Sequence, residues 1–269
     1  MLTAACIDVT GSNRAMDVVW VGEDGHVTHR RVKGVEGTVD WAGEHLPRIL
    51  AVDAPCEQNL ARVSDASVRA QHGLDSGSYE SFRVCEALLR KAGIGLYNTP
   101  RQNAPAWMRR GWDIYGRLQG ELDYRLWRQP GRPQSQDGRT LIEVHPHASF
   151  VVGLGWIPHK KTTLAGQLER LAYLLAEAER LGIRLEDCGL SGEALAEAGS
   201  SLQRATWESI RAQGLHLPQL SHDLLDALAG LVTACLATRG RAFAVGEPEE
   251  GVIVVPEEPR GHYKKPAPQ

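Results

Sequence analysis

The chain has no Cys-x-x-Cys pair, no Walker A phosphate loop, no internal repeat and no apolar run near the roughly 18 residues that cross a bilayer. Five cysteines (Cys6, Cys56, Cys85, Cys188, Cys235) are scattered and odd in number. That excludes a zinc framework and a disulfide scaffold, and fits reduced thiols. The first apolar run, MLTAACIDVTG, carries Asp8 and has no basic leader, so it does not read as a secretion signal. No membrane partner is expected, and the cytoplasm is the expected location. Net charge is only −3 over 269 residues, so no whole-surface attraction to a polyanion operates, although local charge is free to act. At 42% hydrophobic and 23% charged, the composition is that of a globular protein with one large domain.

Short strands come first. Residues 3–9 (TAACIDV), 16–21 (MDVVWV) and 26–33 (HVTHRRVK) are separated by TGSNR and GEDG turns, which predicts an antiparallel three-strand meander. TVDWAGEHL predicts a short helix with Thr38 as its cap. RILAVD at 48–53 is a fourth strand, stopped by Ala54-Pro55, and LIEVHP at 141–146 a fifth. Between them, 57–138 reads as a mainly helical insertion, with YESFRVCEALLRKAG its clearest helix and 129–140 a Pro- and Gln-rich loop. Helices are predicted over 162–181, 200–213 and 220–238, an edge strand over 251–256, and a mobile polar tail over 257–269. The leucine spacing of 162–181 is a core stripe without chemistry. A meander followed by strands with crossover helices gives an α/β fold: one mixed sheet, flanked by helices, within a single domain spanning 1–256.

SHDLLDALAGL, at 221–231, places Asp223 and Asp226 three residues apart on one helix face. Small residues (Ala227, Gly230, Thr233, Ala234) surround that face, and Leu225, Leu228, Leu231 and Val232 occupy the other. A helix apolar on most sides is buried, and an unpaired carboxylate there is costly. Three more acids end apolar strands: Asp8, Asp53 and Glu143. Open α/β sheets gather ligands at such ends. A lone strand-end aspartate more often caps a turn or accepts backbone N–H groups than does chemistry, and Asp223 suits the dipole at a helix start. Five carboxylates converging are different. They repel unless a cation neutralises them, and hard divalent ions such as Mg²⁺ or Mn²⁺ take oxygen ligands. A pair of such ions clamps the attacking and leaving oxygens of a phosphodiester.

CIDVTG, AVDAP, IEVHP and DLLDALAG, in that order, resemble the bacterial and archaeal family catalogued as domain of unknown function 429. The resemblance extends from Asp8 to GVIVVP. It includes Arg83-x-x-Glu86 within FRVCEALLRKAGIGLYNTP, and HPHASFVVGLG followed by HKKTTLAGQLER. The His222-x-x-x-Asp226-Ala227 pattern is also similar to the last helix of Holliday-junction resolvases. Members of the family are expected to be nucleases of the ribonuclease H-like fold. The resemblance implies that Asp8 and Asp53 hold two metal ions, that Asp223 or Asp226 completes the site, and that Glu143 supplies the family's own acid as ligand or base. Classical relatives of the fold carry Glu on the fourth strand, where this chain has the shorter Asp53. Resolvases of this fold are dimers, so an oligomer is compatible with it.

Residues 101–139 combine eight arginines, Arg109 and Arg110 among them, with Trp107, Trp112, Tyr115, Tyr124 and Trp127. Arginine grips phosphate in bidentate fashion and aromatic rings stack on bases, which suits a DNA or RNA groove. A helical cap with Trp inside and Arg outside fits the same pattern equally well. Arg83, Lys160 and Lys161 are further candidates for neutralising phosphate. His145-x-His147 is a weaker metal motif, because Pro146 intervenes and the strand ends lack the further histidines that such hydrolases use. The expected function is metal-dependent hydrolysis of nucleic acid. The alternatives are a non-catalytic nucleic-acid-binding module on the same fold, or an ATP-dependent phosphotransferase, for which IDVTGSNR is a faint phosphate turn without the second Gly-rich loop that class needs.

Overall fold

Strand alternation sets which side chains meet. In β1 (Ala4–Asp8), Ala4 and Cys6 enter one core while Ala5 and Ile7 enter the other. In β2 (Ala15–Val21), Val19 and Val21 join the first core, and Met16 and Val18 the second. This period of two is what a sheet covered on both faces requires. The computed structural model describes residues 4–11, 14–133, 138–185 and 221–265.

β1, β2 and β3 (Val27–Lys33) form the antiparallel meander. β4 (Ile49–Asp53) runs parallel to β1, β6 (Thr140–Val144) parallel to β4, and β8 (Gly251–Val255) parallel to β6. β7 (Phe243–Glu247) closes the edge antiparallel to β8, giving the order β3-β2-β1-β4-β6-β8-β7. A two-residue strand, β5 (Arg125–Leu126), adds to the start of β6 and completes an eight-stranded mixed sheet. The carboxyl ends of β1, β4, β6 and β8 therefore lie on one side of the molecule.

Seven helices cover the sheet among the described residues. α1 (Gly34–His45) and α4 (Ala106–Leu122) bury Trp41, Ile114, Tyr115 and Leu118 on one face. α6 (Leu164–Leu181) and α7 (His222–Thr238) cover the other. α2 (Ala66–His72) belongs to a small satellite core. α3 (Val84–Lys91) and α5 (Pro146–Leu154) pack around β7 and β8. α7 is buried on every side from Leu224 to Ala237. Its small face works at close range: a β-carbon on Gly230 would fall inside the contact shell of Cys6 Sγ and press on Val144. Burying Leu225, Leu228 and Leu231 stabilises the helix by ~1.5–3 kcal/mol each. That apolar gain is what lets α7 carry Asp226 into the interior.

Several elements differ from the sequence expectation for local reasons. α1 begins at Gly34, not at Thr38, whose hydroxyl donates to the Gly34 carbonyl from inside the helix. α5 arises because His145 accepts from the Ala148 N–H and Pro146 opens the helix, a start masked in sequence by the preceding strand. The expected mobile tail is docked as far as Lys264: Tyr263 is buried and donates its N–H to Ala92 O, and Lys264 O accepts from Ile157. The helix expected at 200–213 and the tail beyond 265 lie outside the described residues.

Candidate metal centre

Register brings the strand acids together. Asp8 stands level with Asp53 across the parallel β1–β4 pair and level with Asp17 across the antiparallel β1–β2 pair. All three stand two residues from a residue of the first core (Cys6, Ala51, Val19), so by alternation they leave the face that α7 covers. α7 begins above them, capped by Ser221, whose hydroxyl accepts from Leu224 N at 3.0 Å. Its first two turns lower Asp223 and Asp226 into the same cleft. Oxygens of Asp8, Asp17 and Asp223 lie within 4.8 Å of one another. Metal–oxygen bonds of roughly 2.0–2.6 Å separate opposed ligands by roughly 4–5 Å, so this cluster is able to hold a metal ion.

The charge balance points the same way. Burial, then the charges of Asp53, Asp226 and Asp223, push the Asp8 carboxyl well above its ordinary range, and Asp8 and Asp53 share a hydrogen bond. Burial and the Asp226 charge push Asp53 up to about 7. Burial also raises Asp226, although Lys161 Nζ donates to it at 2.6 Å. Asp17 is held from behind by His29 Nε2 at 2.6 Å, with Arg31 Nε at 3.6 Å. Asp223 lies 2.6 Å from His222 Nδ1, so the cations beside the five aspartates are few, and the cluster of Asp8, Asp17 and Asp223 is one that a positive ion would relieve.

Glu143 does not join them. Val52, not Asp53, is its register partner, so its side chain leaves the opposite face of the sheet. There Arg83 grips it in bidentate fashion at 2.5 and 3.0 Å, and Cys56 N donates at 2.8 Å. Arg83 is 1% exposed, and its remaining bonds go to Glu86 and Glu250 O. Both residues line the cleft that holds Asp8 and Asp53, but Glu143 is paired with Arg83 there instead of joining the aspartate cluster. Arg83-x-x-Glu86 is a helix start, in which Glu86 accepts from Arg83 N and from Thr99.

The basic and aromatic section resolves mainly as a helical cap. Tyr115, Tyr124 and Trp127 are buried in the cores, and only Trp107 of that group lines the cleft. Arg117 pairs with Glu36 and Glu121, Arg128 with Glu57, and Arg110 donates to Thr10 O, tying down the loop after β1. Arg109 is exposed, donates to Ala104 O, and lies away from the cleft lining. Lys160 and Lys161 do line the cleft. His145 and His147 also line it; burial pushes both down to about 4, which leaves them neutral at pH 7. The cleft measures about 1900 Å³ and opens where the strands end.

Asp17 was not legible as a ligand in sequence. Within MDVVWV it reads as the polar side of a half-exposed strand. The available signal was its partner pair, His29 and Arg31, alternating on the next strand of the meander.

The family model described as "Protein of unknown function (DUF429)" matches residues 7–250. The chain belongs to that family. The match runs from the strand bearing Asp8 to the turn before β8, so it takes in all five aspartates and the Arg83–Glu143 pair. No curated protein and no solved structure matches the chain significantly. Among the described residues, no helix is long and apolar enough to cross a membrane.

Proposed function

We propose that this DUF429 chain is a metal-dependent nuclease of the ribonuclease H-like fold, hydrolysing phosphodiester bonds of DNA or RNA with two Mg²⁺ or Mn²⁺ ions. The observation that carries the reading is Asp8 in register with Asp53 beneath the acids of α7, a concentration of carboxylates whose raised proton affinities a bound cation would relieve. The sheet supports it. An antiparallel β3-β2-β1 meander continued by parallel β4 and β6 is the strand order expected of that fold.

Asp8 and Asp53 would hold the ions, with Asp223 and Asp226 closing the site from α7 and Asp17, steadied by His29, adding a fifth carboxylate. When bound, such a pair of ions supplies Lewis acidity to the phosphodiester and lowers the pKa of a water. Lys161 neutralises Asp226 in the metal-free protein, and Lys160 brings positive charge to the cleft mouth. Glu143 takes a supporting role here: clamped by Arg83, it fixes the turn after β4 through Cys56 N.

The test is a panel of labelled single strands, duplexes, hybrids and junctions incubated with Mn²⁺ or chelator. Cleavage by the wild type with Mn²⁺, absent in a folded Asp8→Asn, is the expected result. Full cleavage by Asp8→Asn overturns the reading. Binding without cleavage of any substrate makes the chain a non-catalytic nucleic-acid-binding module.

A further inference from the structure

Among the described residues, four large apolar side chains are notably exposed: Leu46, Leu60, Tyr97 and Trp156. Two of them, Tyr97 at 81% and Trp156 at 38%, line the aspartate cleft. They come from segments far apart in sequence. Tyr97 follows α3, and Trp156 follows α5. The docked tail joins the two. Tyr263 N donates to Ala92 O, His262 Nδ1 lies 3.1 Å from Lys91 O, and Ile157 N donates to Lys264 O. Gly93 has φ +88, and a β-carbon there would collide with Tyr263 O, so the tail seats directly on the loop that leads to Tyr97. Arg90, Gly95–Tyr97, Lys265 and Trp156–Lys161 thus form one wall, held by main-chain bonds before any ligand arrives.

The charge on this wall is one-sided. Arg90, Lys160 and Lys265 are exposed, line the cleft and make no ion pair among the described residues. Among the described residues, the glutamates that line the cleft are already engaged: Glu169 accepts from His159 N and faces the His159 ring, and Glu86 and Glu143 are paired with Arg83. Arg90 lies over the Phe82 ring at 5.5 Å, and cations without an acidic partner beside exposed aromatic faces match a chain that alternates phosphates with flat bases. A duplex hides those base faces in its own stack, whereas a single strand offers them.

We propose that this wall binds single-stranded nucleic acid, stacking bases on Tyr97 and Trp156 while Arg90, Lys160 and Lys265 follow the phosphates towards the aspartates. The inference rests on the nuclease reading for its direction, and names the substrate form.

Binding is measured by fluorescence anisotropy without turnover, in Ca²⁺ or chelator, on the full chain. The probes are an unstructured strand of about 15 nucleotides, as DNA and as RNA, and the duplex of the same sequence. Single strands of one or both sugars are expected to bind at least tenfold more tightly than duplex. Tyr97→Ala and Trp156→Ala each weaken that binding about tenfold without changing the melting temperature, and Tyr97→Phe, which keeps the ring, restores it. Equal or tighter duplex binding, no binding of either strand, or wild-type affinity in both alanine variants overturns the proposal. Duplex binding together with Mn²⁺-dependent cleavage would defeat this inference and leave the nuclease reading intact. Aromatic-dependent strand binding without a metal site would do the reverse.

Discussion

Asp53 and Glu143 end neighbouring parallel strands one register step apart, and that single step sends them to opposite faces of the sheet. Asp53 joins Asp8 under α7, while Glu143 meets Arg83 in a buried bidentate pair. Two acids that look equivalent in sequence therefore do different work. Glu143→Leu leaves Arg83 buried without its main partner, a change expected to cost about 3–5 kcal/mol. Urea unfolding would show the loss, while calorimetry on the protein that remains folded would show Mn²⁺ affinity near wild type. A fall in metal affinity with little change in stability would return Glu143 to the ligand set.

The buried aspartates make stability depend on pH in an unusual direction. Asp53 has its folded pKa raised from an ordinary 3.8 to about 7, and Asp8 is raised with it. Between those values the folded state binds more protons than the unfolded one, so this contribution to stability is fully present below 3.8 and is lost as pH rises through about 7. Asp53→Asn is expected to melt higher than the wild type above pH 7 without metal, and to lose the stabilisation that Mn²⁺ gives the wild type. Thermal melts with and without chelator measure both effects. Equal pH profiles for the two proteins would contradict the burial argument.

Lys161 supplies an internal cation to Asp226 at 2.6 Å, while its side chain stays 45% exposed. Lys161→Met removes a charge that opposes any incoming metal ion. Mn²⁺ is expected to bind about tenfold more tightly, and the metal-free protein to melt lower above pH 7. Titration calorimetry and a melt on the same preparation decide it. Unchanged affinity would mean that the ion lies beyond the reach of this ammonium.

α7 carries Asp223 and Asp226 to the strand acids only because Gly230 lets it sit against Cys6. Gly230→Ala overpacks that contact and is expected to cost about 1–3 kcal/mol. Cys6→Ala in the same chain opens room for the added methyl and should recover part of the loss. A Gly230→Ala variant as stable as wild type, with full metal affinity, would show that the helix has slack.

The strands were legible because a sheet buried on both faces leaves short, unbroken apolar runs. AACID, ILAVD, TLIEV and GVIVV are all strands where such runs predict them, but GVIVV, expected at the sheet's edge, lies inside it between β6 and β7. β5 has two residues, and β7 follows α7 within a few positions, too short an interval for pattern to separate them. At the site, Asp8, Asp53, Asp223 and Asp226 could be read from strand ends and helix spacing. The face that Glu143 occupies could not, since relative register is a tertiary property. Nor could the sequence separate arginines that meet solvent from those spent on Glu36, Glu57 and Glu121.

The most direct test is calorimetric titration of Mn²⁺ into the full chain and into Asp8→Asn, both shown to be folded, at a pH above 7. Saturable binding by the wild type, weakened or lost in Asp8→Asn, is the result this account predicts. Equal binding by both proteins, or none by either, would contradict a metal centre built on Asp8.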